Sequence, residues 1–379
     1  MSLALSTLLY EWRRYLAAVI ALSVAGLLVL SLTGMFMGMS KSFTASVDRS
    51  PAEVMVLPPN SNNVFDSGGG QPRRLIPEIY QHSAVVEARP LNIGFTNWSN
   101  FPAEGQPAKD QGVVIYIVDP VRGAVTLPSD FSDQLINELK EPFAVVVDRS
   151  SLGKLGVQVG DKAKMNGFTV WVRDTVEGYP SMFNAVVFVS PQTAKLIRQF
   201  NDGPQIGAIV VKIARGARAS EVAAQLNEMA KGRYRAWSRD ALSEAGQRSM
   251  LKEGGIVVIL GFAVVVGIFI GVVITWQTLQ GAILANIKEF ASLRALGVSM
   301  RSLRLIVMEL SLWVGLAGLA LTAILAGIVW VLSTTFGVPM DFPLFIDIPV
   351  GIAMVIVAVL SGVLSLRILK KSQPAELLR

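Results

Sequence analysis

The stretch "NIKEFASLRALGVSMRSLRL", Asn286 to Leu305, is a basic, helix-patterned segment between two long apolar runs. Phe290, Leu293 and Leu296 recur at helical spacing, while Lys288, Glu289, Ser292 and Arg294 fall elsewhere around the helix. Gly297 is placed to end that helix and Ser299 to cap the next one. Such a segment is an elbow at a membrane surface. Two readings of it stay open: it rests on anionic lipid headgroups, or it docks on a protein partner.

Working outward, the chain has 379 residues, 52% hydrophobic and 16% charged, against roughly 45–50% and 25% for a soluble domain. A membrane span needs about 20 apolar helical residues. Four uncharged runs qualify: Tyr15 to Ser40, Gly254 to Ile287, Leu310 to Met340 and Ile348 to Leu366. The first is longer than the apolar core of a signal peptide and has no A-x-A site after it, so it reads as an uncleaved anchor. The second, at 34 residues, is about 51 Å of helix against a hydrocarbon core of roughly 30 Å. Its outer end is expected to continue as a stalk.

Lys and Arg flanks stay cytoplasmic. Arg13 and Arg14 precede the first run; Lys288, Arg294, Arg301 and Arg304 separate the second and third; Arg367, Lys370, Lys371 and Arg379 follow the fourth. The link between the third and fourth carries Asp341 and Asp347 and no base. Both termini and the elbow are therefore expected in the cytoplasm and the long insert outside. The insert itself holds 24 Lys+Arg against 22 Asp+Glu, so the chain's basicity encodes topology rather than a nucleic-acid partner.

The expected plan is residues 1–40 as cytoplasmic segment and first membrane helix, and 41–253 as external domain. The second helix with its stalk takes 254–287, the elbow 288–304, the third helix 305–340, an external link 341–347, the fourth helix 348–366 and a cytoplasmic tail 367–379. Within the insert, short β-branched runs such as "EVMVLP", "GVVIYIV", "NAVVFV" and "GAIVVKI" alternate with the helix-patterned "SEVAAQLNEMAKG". The fold class is a membrane protein with four transmembrane α-helices and a large α+β extracytoplasmic domain between the first two.

"FAVVVDRSSLGKLGVQVGDKAKMNGFTVWV" predicts a buried strand, a helical turn stopped by Gly156, and a hairpin turning at Asn166-Gly167. It belongs to a small barrel or a sheet edge. Asn62 to Arg74, with three glycines, reads as a loop.

Chemistry is sparse. There is no cysteine, and His82 is the one histidine, so no catalytic triad or multi-histidine metal site can be assembled. No G-x-x-x-x-G-K-[ST] occurs, so any ATP is bound by a partner. Glu309 lies about one turn past Arg304, within reach of the interface. Small-residue spacing at Gly34/Gly38 and Gly267/Gly271 suits close helix packing, either within the chain or between two copies.

"KEFASLRALGVSMRSLRLIVMELSLW" resembles the segment joining the second and third membrane helices of FtsX-like permeases. "LRILKKSQPAELLR" is similar to that family's usual ending, and "VVVDRSSLGKLGVQVGDKAKMNG" to a stretch common in its external domains. The order of one helix, a large insert and three helices agrees along the whole chain. The resemblance implies a MacB-type, type VII ABC transporter permease with a MacB-like periplasmic core, nearest to the DevC-like subgroup with its separate ATPase subunit, in the bacterial inner membrane.

It further implies a permease homodimer acting by mechanotransmission. Lys288, Glu289, Phe290, Leu293, Arg294, Leu296 and Gly297 form the ATPase-coupling elbow in that reading. No cofactor sits on this chain, ATP and Mg belonging to the ATPase. A periplasmic adaptor and an outer-membrane channel complete an exporter of a lipid, lipoprotein, peptide or drug. The alternative is a signalling relay in which ATPase cycles activate an external cell-wall hydrolase without transport.

Overall fold

A computed structural model describes residues 10, 12–65, 70–102, 107–181, 184–253, 256–285 and 298–365. The chain divides into two compact units. One comprises residues 1–37, 255–332 and 340–379, the other residues 38–254 with 333–339.

The first unit is helical. Among the described residues its elements are α1 (Trp12–Asp48), α2 (Ile256–Ala285), α3 (Met300–Thr335) and α4 (Leu344–Ser365), and each contains a stretch long and apolar enough to cross a membrane. Helix α1 does not stop at Ser40, where the apolar run ends. It continues unbroken for 37 residues, about 55 Å at 1.5 Å per residue, and so passes into the second unit. Before the overlong second run lies the helix Arg239–Glu253, and within the run α2 is described from Ile256 to Ala285.

The expected bounds of the last two helices shift. Helix α3 starts at Met300 rather than 305, where Ser299 Oγ accepts from Ser302 N at 3.2 Å, and it ends at Thr335 rather than 340. Gly337 adopts φ +64, and Val338 N donates back to Ser333 O at 2.9 Å, closing the helix with a left-handed cap. Helix α4 begins at Leu344, because Pro343 O accepts from Ile346 N and Asp347 N at 2.9 and 3.1 Å. Residues 333–339 then belong to the inserted unit, which an apolar-run scan could not show.

Small residues and hydroxyls join these helices. Ser23 Oγ donates to Gly318 O at 3.0 Å and Thr322 Oγ1 to Ser23 O at 3.3 Å. Ser361 and Ser365 hydroxyls donate to Val272 O and Trp276 O at 3.3 and 3.2 Å. In lipid, where apolar side chains gain little by mutual burial, such bonds and close backbone approach supply the packing.

Among the described residues the inserted unit contains twelve strands: β1 (Val54–Leu57), β2 (Gln71–Pro72), β3 (Val85–Pro90), β4 (Asn92–Asn100), β5 (Asp110–Ile117), β6 (Ala144–Asp148), β7 (Lys162–Met165), β8 (Phe168–Val176), β9 (Ala185–Val189), β10 (Gln205–Ile206), β11 (Ile209–Ile213) and β12 (Arg235–Ser238). Six close into a barrel in the order β4-β5-β9-β6-β8-β7. The β4–β7 pair, Trp98 opposite Met165, seals it. Val113, Ile115 and Ile117 of β5 point into a core with Trp98, Val145, Val147 and Val187. The alternate residues Val114 and Tyr116 point outward and pack under the helix Asp133–Leu139. As read from sequence, β7 and β8 turn at Asn166-Gly167, with φ +51 and +81, and Gly156 at φ +66 ends the short helix Leu152–Leu155.

A second sheet, in the order β12-β1-β11-β3, carries the helix Ala219–Ala230 on one face. Strand β1 follows α1 and β12 precedes Arg239–Glu253, so both ends of the insert meet in one sheet. Arg239 N donates to Glu53 O at 3.0 Å and Arg239 Nη1 to Ser50 O at 3.2 Å. The stretch read as a loop is partly ordered into strand: Gln71–Pro72 pairs with β10, and Gln71 Nε2 donates to Val56 O and Gly207 O at 3.0 and 2.8 Å.

Candidate functional site

The connection of α1 to the barrel is built around Arg49, the residue that follows the helix. Its Nη1 donates to Asp130 Oδ2 at 2.9 Å and to Glu177 O at 2.6 Å, and its guanidinium lies 4.8 Å from the centre of the Tyr179 ring. Its own carbonyl accepts from both the amide and the hydroxyl of Ser129 at 3.0 Å. A cation held by a carboxylate, a carbonyl and an aromatic face is fixed in direction as well as in charge.

Tyr179 closes the arrangement by donating to Asp130 Oδ1 at 3.0 Å, and its amide donates to Asp148 Oδ2 at 2.8 Å. Burial, then the Asp130 carboxylate, pushes the Tyr179 phenol far above its ordinary value, so it stays a neutral donor. Between Glu177 and Tyr179, Gly178 holds φ +100, and a Cβ there would overlap the Arg49 guanidinium. Glycine is required at 178 for both reasons.

Residues 333–339 reach the same barrel from the other side of the sequence. Lys154 Nζ donates to Ser181 O at 2.5 Å and to Gly337 O at 3.4 Å. Burial holds the Lys154 ammonium below its usual value, and the Asp148 carboxylate partly offsets this. Asp148, 1% exposed, also accepts from Ser150 N at 3.0 Å. A Cβ at Gly337 would collide with Ser150 O. Two chain segments contiguous with membrane helices thus bind one barrel, through Arg49 and through Lys154.

The elbow residues Lys288, Glu289, Phe290, Leu293, Arg294, Leu296 and Gly297 lie outside the described residues. Gly267 and Gly271 face α1, where added Cβ atoms would meet Val29 Cγ2 at 3.2 Å and the Ala25 Cβ at 3.4 Å. Gly34 packs on Phe342, 2.6 Å from a built Cβ, and its carbonyl accepts from Asp341 N at 2.9 Å. Gly38 is buried in α1 and accepts from Ser42 Oγ at 2.9 Å. Sequence spacing did not single out Gly362, where a Cβ would overlap Ser311 Oγ and lie 2.7 Å from Ser311 Cβ. His82 binds Gln225 Oε1 through Nε2 at 2.7 Å and accepts from Ala84 N at 3.2 Å, which ties its turn to the helix Ala219–Ala230. Among the described residues no group of three or more His, Asp or Glu could hold a metal ion.

The comparisons with known proteins fall on both units. The model of the MacB-like periplasmic core domain matches residues 15–229, and that of the FtsX-like permease C-terminal region matches residues 261–374. No curated protein matches the chain. Among solved structures, the periplasmic region of MacB from Actinobacillus actinomycetemcomitans is similar at 12% identity, with 52% of this chain and 94% of that chain covered and a TM-score of 0.35. The extracellular domain of the noncanonic ABC-type transporter YknZ from Gram-positive bacteria is similar at 10% identity, with 49% and 99% covered and a TM-score of 0.32. Scores this low decide nothing, so the assignment rests on the two sequence models, one of which spans more than half of the chain. With four apolar helices beside them, they make this a multi-pass inner-membrane protein that belongs to the FtsX-like permease family with a MacB-like periplasmic core, the permease component of an ABC-type transporter.

Proposed function

We propose that the chain works by mechanotransmission in an ATP-driven exporter, moving a hydrophobic or amphipathic substrate outward from the periplasm or the outer leaflet. Two copies pair, and each docks its elbow, Lys288 to Gly297, on a separate ATPase subunit that binds ATP and Mg. Both termini and the elbow lie in the cytoplasm, and the inserted unit is periplasmic. A periplasmic adaptor and an outer-membrane channel receive the substrate.

The observation that carries this reading is the continuity of α1 from Trp12 to Asp48 into the Arg49 clamp. A helix is stiff along its axis, so a displacement at its cytoplasmic end reaches the barrel only if its far end is fastened, and Arg49 fastens it. The membrane helices are poor walls for an aqueous path: among the described residues the buried hydroxyls of Ser23, Thr322, Ser361 and Ser365 are turned to backbone carbonyls, and Thr275 Oγ1 is a buried hydroxyl without a partner.

The test is affinity purification of the tagged full chain from native membranes in mild detergent, with co-purifying proteins identified by mass spectrometry. A P-loop ATPase together with a periplasmic adaptor is the expected result. Repeated preparations without an ATPase would overturn the reading, and an ATPase accompanied by a cell-wall hydrolase would replace export with signalling.

A further inference from the structure

Beside the Arg49 clamp the inserted unit holds a cavity of about 270 Å³. One wall is the end of α1: Met39, Ser42, Phe43 and Ser46 recur at i, i+3, i+4 and i+7, a single helix face. The other wall is the outside of the barrel, where Val114 and Val186 sit in register on β5 and β9 with Tyr116 beside them. Phe95, 60% exposed, stands at the rim.

Three observations define what fits. None of the thirteen lining residues carries a charge, so an ion inside would be desolvated without a partner. The volume falls just under the roughly 300–1,000 Å³ of drug-sized sites, which suits a chain segment rather than a whole bulky ligand. And the cavity has a polar corner. Ser46 Oγ is shielded from solvent beside the Tyr116 phenol, with which it interacts, and burial keeps that phenol neutral and able to donate.

Position supplies the occupant. The uncharged run of α1 ends at Ser40 and Lys41 is the first charge after it, so Met39 to Ser46 begin at headgroup level. We propose that the cavity takes up one hydrocarbon chain of an amphipathic lipid, with the Ser46 and Tyr116 hydroxyls meeting the ester or amide oxygen at its head end. This deepens the exporter reading and rests on it: because α1 forms one wall, movement of that helix alters the cavity that holds the load.

The experiment uses the full chain with its co-purified ATPase in vesicles of phosphatidylethanolamine and phosphatidylglycerol. Lysophosphatidylethanolamine bearing a diazirine in its acyl chain is added, irradiated, and its adducts are mapped by mass spectrometry. Adducts on the membrane helices are expected throughout and calibrate the yield. Adducts on Phe43–Ser46 and Val114–Tyr116 are the expected result, with at least about a tenfold loss in Phe95→Asp, which places a carboxylate at an apolar rim without touching the core. Ser46→Phe, which fills the cavity from α1, is expected to give the same loss. Wild-type adducts confined to the membrane helices, or equal yields in Phe95→Asp, would overturn the proposal. If the ATPase still co-purifies in that case, the exporter reading stands and only the lipid site falls.

Discussion

Gly178→Ala is expected to lower the thermal midpoint of the detergent-solubilised chain by roughly 4–20 °C, followed by tryptophan fluorescence. Two costs combine. Alanine at φ +100 carries about 1–3 kcal/mol of backbone strain, and its Cβ displaces the Arg49 guanidinium, forfeiting about 1–2 kcal/mol of charge-assisted bonding and ring contact. At about 2–4 °C per kcal/mol for a domain of this size, the sum gives that range. Gly216 separates the two costs, because it holds φ +92 with nothing within 4 Å of a built Cβ. Gly216→Ala should therefore shift the midpoint about half as far. In an Arg49→Ala background, Gly178→Ala should lose its excess over Gly216→Ala, a coupling that a double-mutant cycle reads directly. Equal shifts for the two glycines in the wild-type background would mean that Arg49 is not held as described.

The second large effect is expected in the membrane unit. Gly362→Ala forces a methyl group to within 2.7 Å of Ser311 Cβ, and helices joined by hydroxyl-to-carbonyl bonds cannot part without breaking them. Overpacking of this kind costs about 1–3 kcal/mol. The expected readout is a lower midpoint in detergent and a reduced yield of full-length chain in membranes. Gly267→Ala, whose Cβ meets a Val29 methyl at 3.2 Å and Ala25 O at 3.8 Å, should shift the midpoint far less, since a side-chain methyl can give way. A Gly267→Ala shift as large as that of Gly362→Ala would contradict the packing order described here.

Features encoded by neighbours in sequence were legible before the structure. The Asn166-Gly167 hairpin, the left-handed Gly156 stop and the alternation of Ala163, Met165, Val170 and Val172 into the barrel depend on adjacent residues. The four apolar helices depend only on composition. Barrel closure was not legible, because β4 meets β7 and β5 lies parallel to β9 through pairings 63 or more residues apart in the chain. The Arg49 clamp was hidden for the same reason: its partners Asp130 and Glu177 lie 81 and 128 residues away. Glycine spacing pointed to Gly267 and Gly271, which do pack on α1, but it could not rank them below Gly362, whose closeness is set by the partner helix. Residues 333–339 looked like the end of a membrane span because they are uncharged; the cap at Gly337 and the Lys154 bond assign them to the barrel.

The central claim is that ATP turnover in a partner subunit moves the barrel through α1. It is tested most directly by pulsed electron paramagnetic resonance on the permease with its ATPase. The chain has no cysteine, so Val159→Cys, at a residue 51% exposed in the turn before β7, gives a single spin-label site per copy. The account predicts a defined distance between two copies that changes by several ångströms when the ATPase is trapped with ATP and vanadate, and a change that is largely lost in Arg49→Ala. An identical distance distribution in both nucleotide states, while ATP is still hydrolysed, would contradict it.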